Sequence, residues 1–160
     1  MEEVVRVESV TKAYGSLLAV DHVSLSVKRG TAIGLLGANG AGKSTTIECI
    51  LGTKRADGGT VSILSLDPRK DRRRLFQQVG VQFQECDYQA EIKVSELCEE
   101  TACLYMAPAD WKGLCEQFGI GDKTQSSVKS LSGGERQRLF IVLALIPNPQ
   151  VVFLDELTTG

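Results

Sequence analysis

The sequence predicts an α/β fold carrying a helical insert, and three observations predict it. A glycine-bounded apolar run, "TAIGLL" (31–36), passes through a glycine-rich turn into a helical pattern, "KSTTIECIL" (43–51). A second apolar run, "VVFLD" (151–155), is β-branched and of strand length. Between 86 and about 130 the strand signal disappears and helical periodicity replaces it. Strands alternating with helices, interrupted by a purely helical stretch, give an α/β domain with an insert.

Element by element, residues 4–10 and 20–28 read as strands. In "VDHVSLSVK" the apolar Val23, Leu25 and Val27 alternate with Ser24, Ser26 and Lys28, the period of a half-buried antiparallel strand. "TAIGLL" reads instead as a strand buried on both faces. The helix over 43–51 ends at Gly52, placed to cap it. "ADGG" turns into the alternating strand "TVSIL", and Pro68 opens a helix over 68–77 that leads to the strand "VGVQF" (79–83). In "VSELCEETACLYM", Val94, Leu97, Cys98, Ala102 and Tyr105 share one helical face. A second helix runs from Pro108 to about Phe118, and a third from Gly133 to Ile146, stopping before Pro147.

The bulk composition excludes several classes. A chain of 160 residues with 42% hydrophobic and 24% charged residues is long enough for one domain with a substantial core. A net charge of -2 lacks the basic footprint of a nucleic-acid binder, and the basic run "RKDRRR" (69–74) reads as a solvated helix face. "MEEVVRV" is no signal peptide, and the longest apolar run, "LFIVLALI", is eight residues against the roughly 20 a spanning helix needs. No direct membrane insertion is expected. Five cysteines without a C-x-x-C pair suggest reduced thiols; Cys49, Cys98, Cys103 and Cys115 read as core or semi-core filler.

Three motifs carry chemistry. "GANGAGKS" (37–44) follows a strand and opens a helix, the setting that makes G-x-x-x-x-G-K-[ST] a phosphate cradle. Its glycines let backbone N–H groups turn inward, and the helix N-terminus adds positive potential. The candidate phosphate-binding residues are Gly37, Ala38, Asn39, Gly40, Ala41, Gly42, Lys43, Ser44 and Thr45, with Lys43 reaching the β- and γ-phosphates and Ser44 ligating Mg²⁺. "FLDE" (153–156) delivers two carboxylates at a strand end, costly to bury unpartnered and costly to ionise together. A metal on Asp155 and a water oriented or deprotonated by Glu156 resolve that conflict. "LSGGERQR" (131–138) opens a helix with Ser132, Gly133 and Gly134, a second phosphate-binding N-terminus. One chain has no use for two such cradles on one nucleotide, but a second subunit's nucleotide could be capped by the second.

With these motifs the sequence resembles the nucleotide-binding domain of ABC transporters, and the resemblance covers essentially the whole chain. "GANGAGKS" is similar to the Walker A loop, "LSGGE" to the ABC signature and "VVFLDE" to the Walker B strand with its catalytic glutamate. Gln84 in "VGVQFQE" resembles the Q-loop glutamine that contacts Mg²⁺ and the attacking water, and Tyr14 in "TKAYG" the aromatic residue that stacks on adenine. The resemblance thus implies ATP and Mg²⁺, with Glu156, Gln84 and Lys43 catalytic and Ser44, Gln84 and Asp155 around the metal. It implies a P-loop NTPase (RecA-like) core, an N-terminal antiparallel β-subdomain and an α-helical subdomain. "VVFL" is then expected to pair in parallel with "VGVQF". Ala38 and Leu157 stand where the family commonly has proline, and His22, the single histidine, is far from the family's switch histidine, so an incomplete C-terminus is expected.

The implied layout is one ABC ATP-binding domain over 1–160: a β-subdomain and P-loop part over 1–85, a helical subdomain over 86–130, and the signature helix with the Walker B strand over 131–160. The implied function is ATP-driven closure of a head-to-tail pair of ATP-binding subunits, coupled to a membrane-spanning transporter subunit at the cytoplasmic face of the cell membrane. Export is favoured by the short helical segment. The alternatives are a soluble ABC ATPase of DNA repair or translation, and a fragment that binds nucleotide without turnover. The DNA-repair type is disfavoured by the 46 residues between Gln84 and Leu131, which show no sustained heptads, and the translation type by the lack of a second such domain and linker in this sequence.

Overall fold

The computed structural model describes residues 2–82 and 91–155. The chain divides into two units, Met1–Leu75 and Phe76–Gly160.

The first unit is built on a three-stranded antiparallel sheet, ordered β2-β1-β3, from β1 (Glu3–Tyr14), β2 (Leu17–Lys28) and β3 (Gly58–Ile63). Val5, Val7 and Val10 of β1, Val20 of β2 and Ile63 of β3 are buried. The register pairs Val7 with Leu25 on one side and with Val61 on the other. β1 and β2 are longer than alternation predicts and close through the two-residue turn Gly15–Ser16. The reason lies at Ser9, where φ is 49° and the register slips between Val7 and Val10. A bulge there breaks the apolar alternation without ending the strand. The helix α1 (Lys43–Ile50) packs on β1 and β2 through Thr46, Cys49 and Ile50. It ends as expected, with Gly52 (φ 67°) just past its last turn and donating to the Cys49 carbonyl.

Two expectations fail in this unit. Residues 31–36 form no strand: they are exposed, with Leu36 96% accessible, and pair with no strand among the described residues. Apolar content alone does not make a strand; it needs a ladder partner and covered faces, and among the described residues, 31–36 have neither. The helix expected over 68–77 shrinks to α2 (Arg72–Leu75). Asp67 accepts from the amides of Arg69 (2.8 Å) and Lys70 (3.2 Å), the pattern of a helix cap, but the turn it closes over 68–70 does not run on into one continuous helix.

In the second unit β4 (Val79–Gln82) pairs in parallel with β5 (Val151–Leu154), Val79 opposite Val151 and Gln82 opposite Leu154, as expected. Against them packs α5 (Gly133–Leu145). The helices α3 (Val94–Ala102) and α4 (Trp111–Gln117) and two 3₁₀ turns, Gly121–Lys123 and Val128–Ser130, complete the unit. Its core joins Val94, Leu97 and Cys98 to Cys115, Ile120, Leu139, Val142 and Ile146, with Ala102 and Tyr105 packed at its margin. The face read from the α3 sequence is therefore the buried one. α4 begins later than Pro108, because Asp110 caps it by accepting from the Lys112 amide (3.1 Å). Cys98 and Cys115 meet in the core as free thiols; Cys98 has its pKa raised, first by its bond to Cys115 and then by burial. Cys49 is also buried, whereas Cys103 is exposed just past α3 and is no core filler.

The close approach of α5 to β4 depends on Gly80. A Cβ there would strike the Ala144 carbonyl and touch the Pro149 ring. Both obstacles are rigid, so Gly80→Ala is expected to destabilise the protein by about 1–3 kcal/mol. A lowered urea midpoint with an unchanged slope would show it.

Candidate functional site

The phosphate-loop candidate lies wholly in the first unit. Residues 37–41 are exposed, and a tight turn closes them, the Ala41 amide donating to Ala38 O (3.1 Å). Gly40 (φ 80°) and Gly42 (φ 81°) take left-handed conformations that side-chain-bearing residues resist. At Gly42 a Cβ would also collide with the Ala19 carbonyl of β2, so the loop-to-helix junction is seated on the sheet. α1 then starts with no side-chain cap. Its first N–H groups, including those of Lys43, Ser44 and Thr45, have no acceptor inside the helix. Lys43 folds back over the loop, its Nζ donating to Gly37 O and Ala38 O, each at 2.9 Å. The result is an uncapped helix start with one ammonium beside it, a donor set that fits the oxygens of a polyphosphate.

Tyr14 ends β1 at the tip of the hairpin, 43% exposed. The ammonium groups of Lys12 and Lys54 each lie 5.5 Å from its ring centroid. Neither lysine was singled out by the sequence. Lys12 is held by Asp57 45 positions away (2.9 Å), a separation that leaves no local pattern to read.

The other candidates belong to the second unit. Ser132 is the N-cap of α5, and a reciprocal pair joins it to Glu135: Ser132 N donates to Glu135 Oε2 (2.8 Å), and Glu135 N to Ser132 Oγ (3.3 Å). The Ser132 amide, then its hydroxyl and the Lys123 ammonium, hold the Glu135 carboxyl below its usual pKa range. Capping explains Ser132, but it does not explain the glycines. A Cβ at Gly133 or Gly134 would meet nothing within 4 Å. No contact among the described residues demands their smallness.

Asp155 follows β5 and is buried at 7% exposure, its amide donating to Gln82 O (3.1 Å). Gln82, also 7% exposed, has a side-chain Oε1 without a hydrogen-bond partner among the described residues. Its one sequence signal was a polar residue inside the run "VGVQF". Oxygen donors of the Ser44 and Asp155 kind suit a hard cation such as Mg²⁺. No cluster of three or more His, Cys, Asp or Glu side chains that could hold a metal occurs among the described residues. Gln84 and Glu156 lie outside the described residues. So the structure brings Tyr14 and the loop 37–45 into one unit, and Ser132, Gly133, Gly134 and Asp155 into the other.

The family model for the ABC transporter matches residues 20–159. The chain belongs to the ABC transporter family. Among relatives of this ABC chain, the Nod factor export ATP-binding protein I of Ralstonia nicotianae is 36% identical over 98% of the chain and 50% of its own length. The methionine import ATP-binding protein MetN of Rhizobium johnstonii is 34% identical over 99% and 46%. The daunorubicin resistance ATP-binding protein DrrA2 of Streptomyces coeruleorubidus is 35% identical over 98% and 50%. The chain thus spans about half the length of these curated relatives. A solved ATP-binding cassette of an ABC transporter, in its ADP conformation, superposes with a TM-score of 0.84 at 28% identity, over 100% of the chain and 71% of the cassette. An ATP binding subunit of an ABC transporter superposes at 0.85 with 24% identity, over 96% and 66%, which speaks to the fold alone. The α/β nucleotide-binding fold with its antiparallel β-part and helical part is that of ABC ATPases. Among the described residues no helix is long and apolar enough to cross a membrane.

Proposed function

We propose that this chain is the ATP-binding and hydrolysing part of an ABC transporter, using Mg²⁺ and closing head to tail with a second ATP-binding subunit. The observation that carries the reading is the uncapped start of α1 beneath the folded-back Lys43. In this reading the amides of 40–45 and the Lys43 ammonium hold the β- and γ-phosphates, and Tyr14 stacks on adenine. Mg²⁺, when bound, neutralises phosphate charge as it develops in the transition state. Ser44, Gln84 and Asp155 are the residues that would hold it. Glu156 orients or deprotonates the attacking water, and Gln84 also contacts that water. Ser132, Gly133 and Gly134 cap the nucleotide of the partner subunit; the open space around both glycines supports that role.

The proposed organisation keeps three parts: a β-subdomain with the loop over 1–85, a helical part over 86–130, and the signature helix with the acid-bearing strand over 131–160. Closing and opening would drive a membrane-spanning subunit from the cytoplasmic face, in the direction of export. Relatives of similar identity include an export and an import protein, so identity does not choose between directions. The test of the shared core is oligomeric state in the whole protein. Light scattering should show monomer without nucleotide and dimer with ATP, and Gly134→Asp should block dimer formation while leaving ATP binding intact. A dimer that forms equally well without nucleotide, or in the Gly134 variant, contradicts the composite site.

A further inference from the structure

An aromatic platform is useful only if its ring is already oriented when the ligand arrives, since ordering it on binding costs affinity. Tyr14 stands at a hairpin tip, where few neighbours fix a side chain. Two cations do so instead. Lys12 Nζ and Lys54 Nζ each lie 5.5 Å from the ring centroid, within the roughly 6 Å range of cation–π attraction.

Each cation is tethered in turn. Asp57 accepts from Lys12 Nζ (2.9 Å) with one oxygen and from the Ala13 amide (2.8 Å) with the other, while its own amide donates to Thr11 O (2.8 Å). Glu48 accepts from Lys54 Nζ (2.8 Å), and its carbonyl from the Lys54 amide (3.1 Å) and the Thr53 hydroxyl (3.1 Å). Glu48, then the Tyr14 hydroxyl, also raise the Lys54 pKa, so the ammonium stays charged across the physiological range. Isolated surface ion pairs contribute little to stability. These two differ in converging on one ring, and one of them starts from the helix that Lys43 opens.

We propose that Lys54 and Lys12 are positioning residues for Tyr14, and that the chain Glu48–Lys54–Tyr14 ties the nucleobase platform to the helix carrying the phosphate loop. This rests on the reading of Tyr14 as the adenine-stacking residue. The consequence is selective: the lysines matter for a ligand with a base and not for bare phosphates.

The test titrates the whole protein with ATP by calorimetry, and with inorganic tripolyphosphate by competition against ATP, both with Mg²⁺. Tyr14→Ala should weaken ATP about tenfold and leave tripolyphosphate unchanged. Lys54→Ala and Lys12→Ala should each weaken ATP about three- to fivefold, again sparing tripolyphosphate, and Lys54→Arg should restore most of the loss. Lys54→Ala added to Tyr14→Ala should cost nothing further, because its effect passes through the ring. Equal losses for ATP and tripolyphosphate, or additivity in the double variant, overturn the proposal. If Tyr14→Ala leaves ATP affinity unchanged, the stacking reading itself fails. If Tyr14→Ala weakens ATP while Lys54→Ala does not, the positioning inference alone fails.

Discussion

Lys43→Ala is expected to abolish detectable ATP binding, or to weaken it at least ~100-fold. The ammonium crosses the loop to two backbone carbonyls at 2.9 Å, which places a full charge on the loop that leads into the uncapped start of α1. Charge-assisted hydrogen bonds contribute about 1.5–3 kcal/mol each, and two lost to phosphate oxygens reach that factor. The loss should be specific to binding. Lys43 is not in the core, and Thr46, Cys49 and Ile50 keep α1 on the sheet without it. Calorimetry should show no heat of ATP binding while the thermal midpoint stays within a few degrees of the unsubstituted protein. Near-normal affinity would sink the phosphate-loop assignment.

Glu156→Gln separates binding from turnover. The amide keeps the shape of the side chain but cannot take a proton, so hydrolysis should fall by about 10²–10⁴-fold while ATP stays bound. The closed, ATP-loaded dimer should then accumulate and elute as a larger species in gel filtration with ATP and Mg²⁺. Lys43→Ala should give neither binding nor dimer. The two variants together distinguish a damaged cradle from a missing base. Normal turnover in Glu156→Gln, with only monomer in the column, would remove the base role.

Where the sequence was legible, chemistry and periodicity coincided. "VVFL" and "VGVQ" are short and rich in β-branched residues, and they form the parallel pair β4–β5. The α3 face survives because Val94, Leu97 and Cys98 must all reach one core. The turn at 37–42 was legible because its glycines mark left-handed backbone, and Gly40 and Gly42 adopt it at the start of α1. Long-range pairing was not legible. "TAIGLL" has the composition of a buried strand, yet a strand is made by its partners and none pairs with it among the described residues. Nor could spacing reveal that Lys12 reaches Asp57, or that Lys12 and Lys54 converge on Tyr14. The bulge at Ser9 hid the true length of β1 in the same way, by interrupting an alternation the strand itself does not obey.

The central claim is that the backbone donors following Gly40, rather than some other surface, receive the phosphates. Hydrogen–deuterium exchange with and without saturating ATP and Mg²⁺ tests it most directly, since a bonded amide exchanges slowly. The account predicts that protection on binding concentrates in the amides of residues 40–45 and is lost in Lys43→Ala. Unchanged exchange across 40–45, in protein shown by calorimetry to be saturated with ATP, would contradict it.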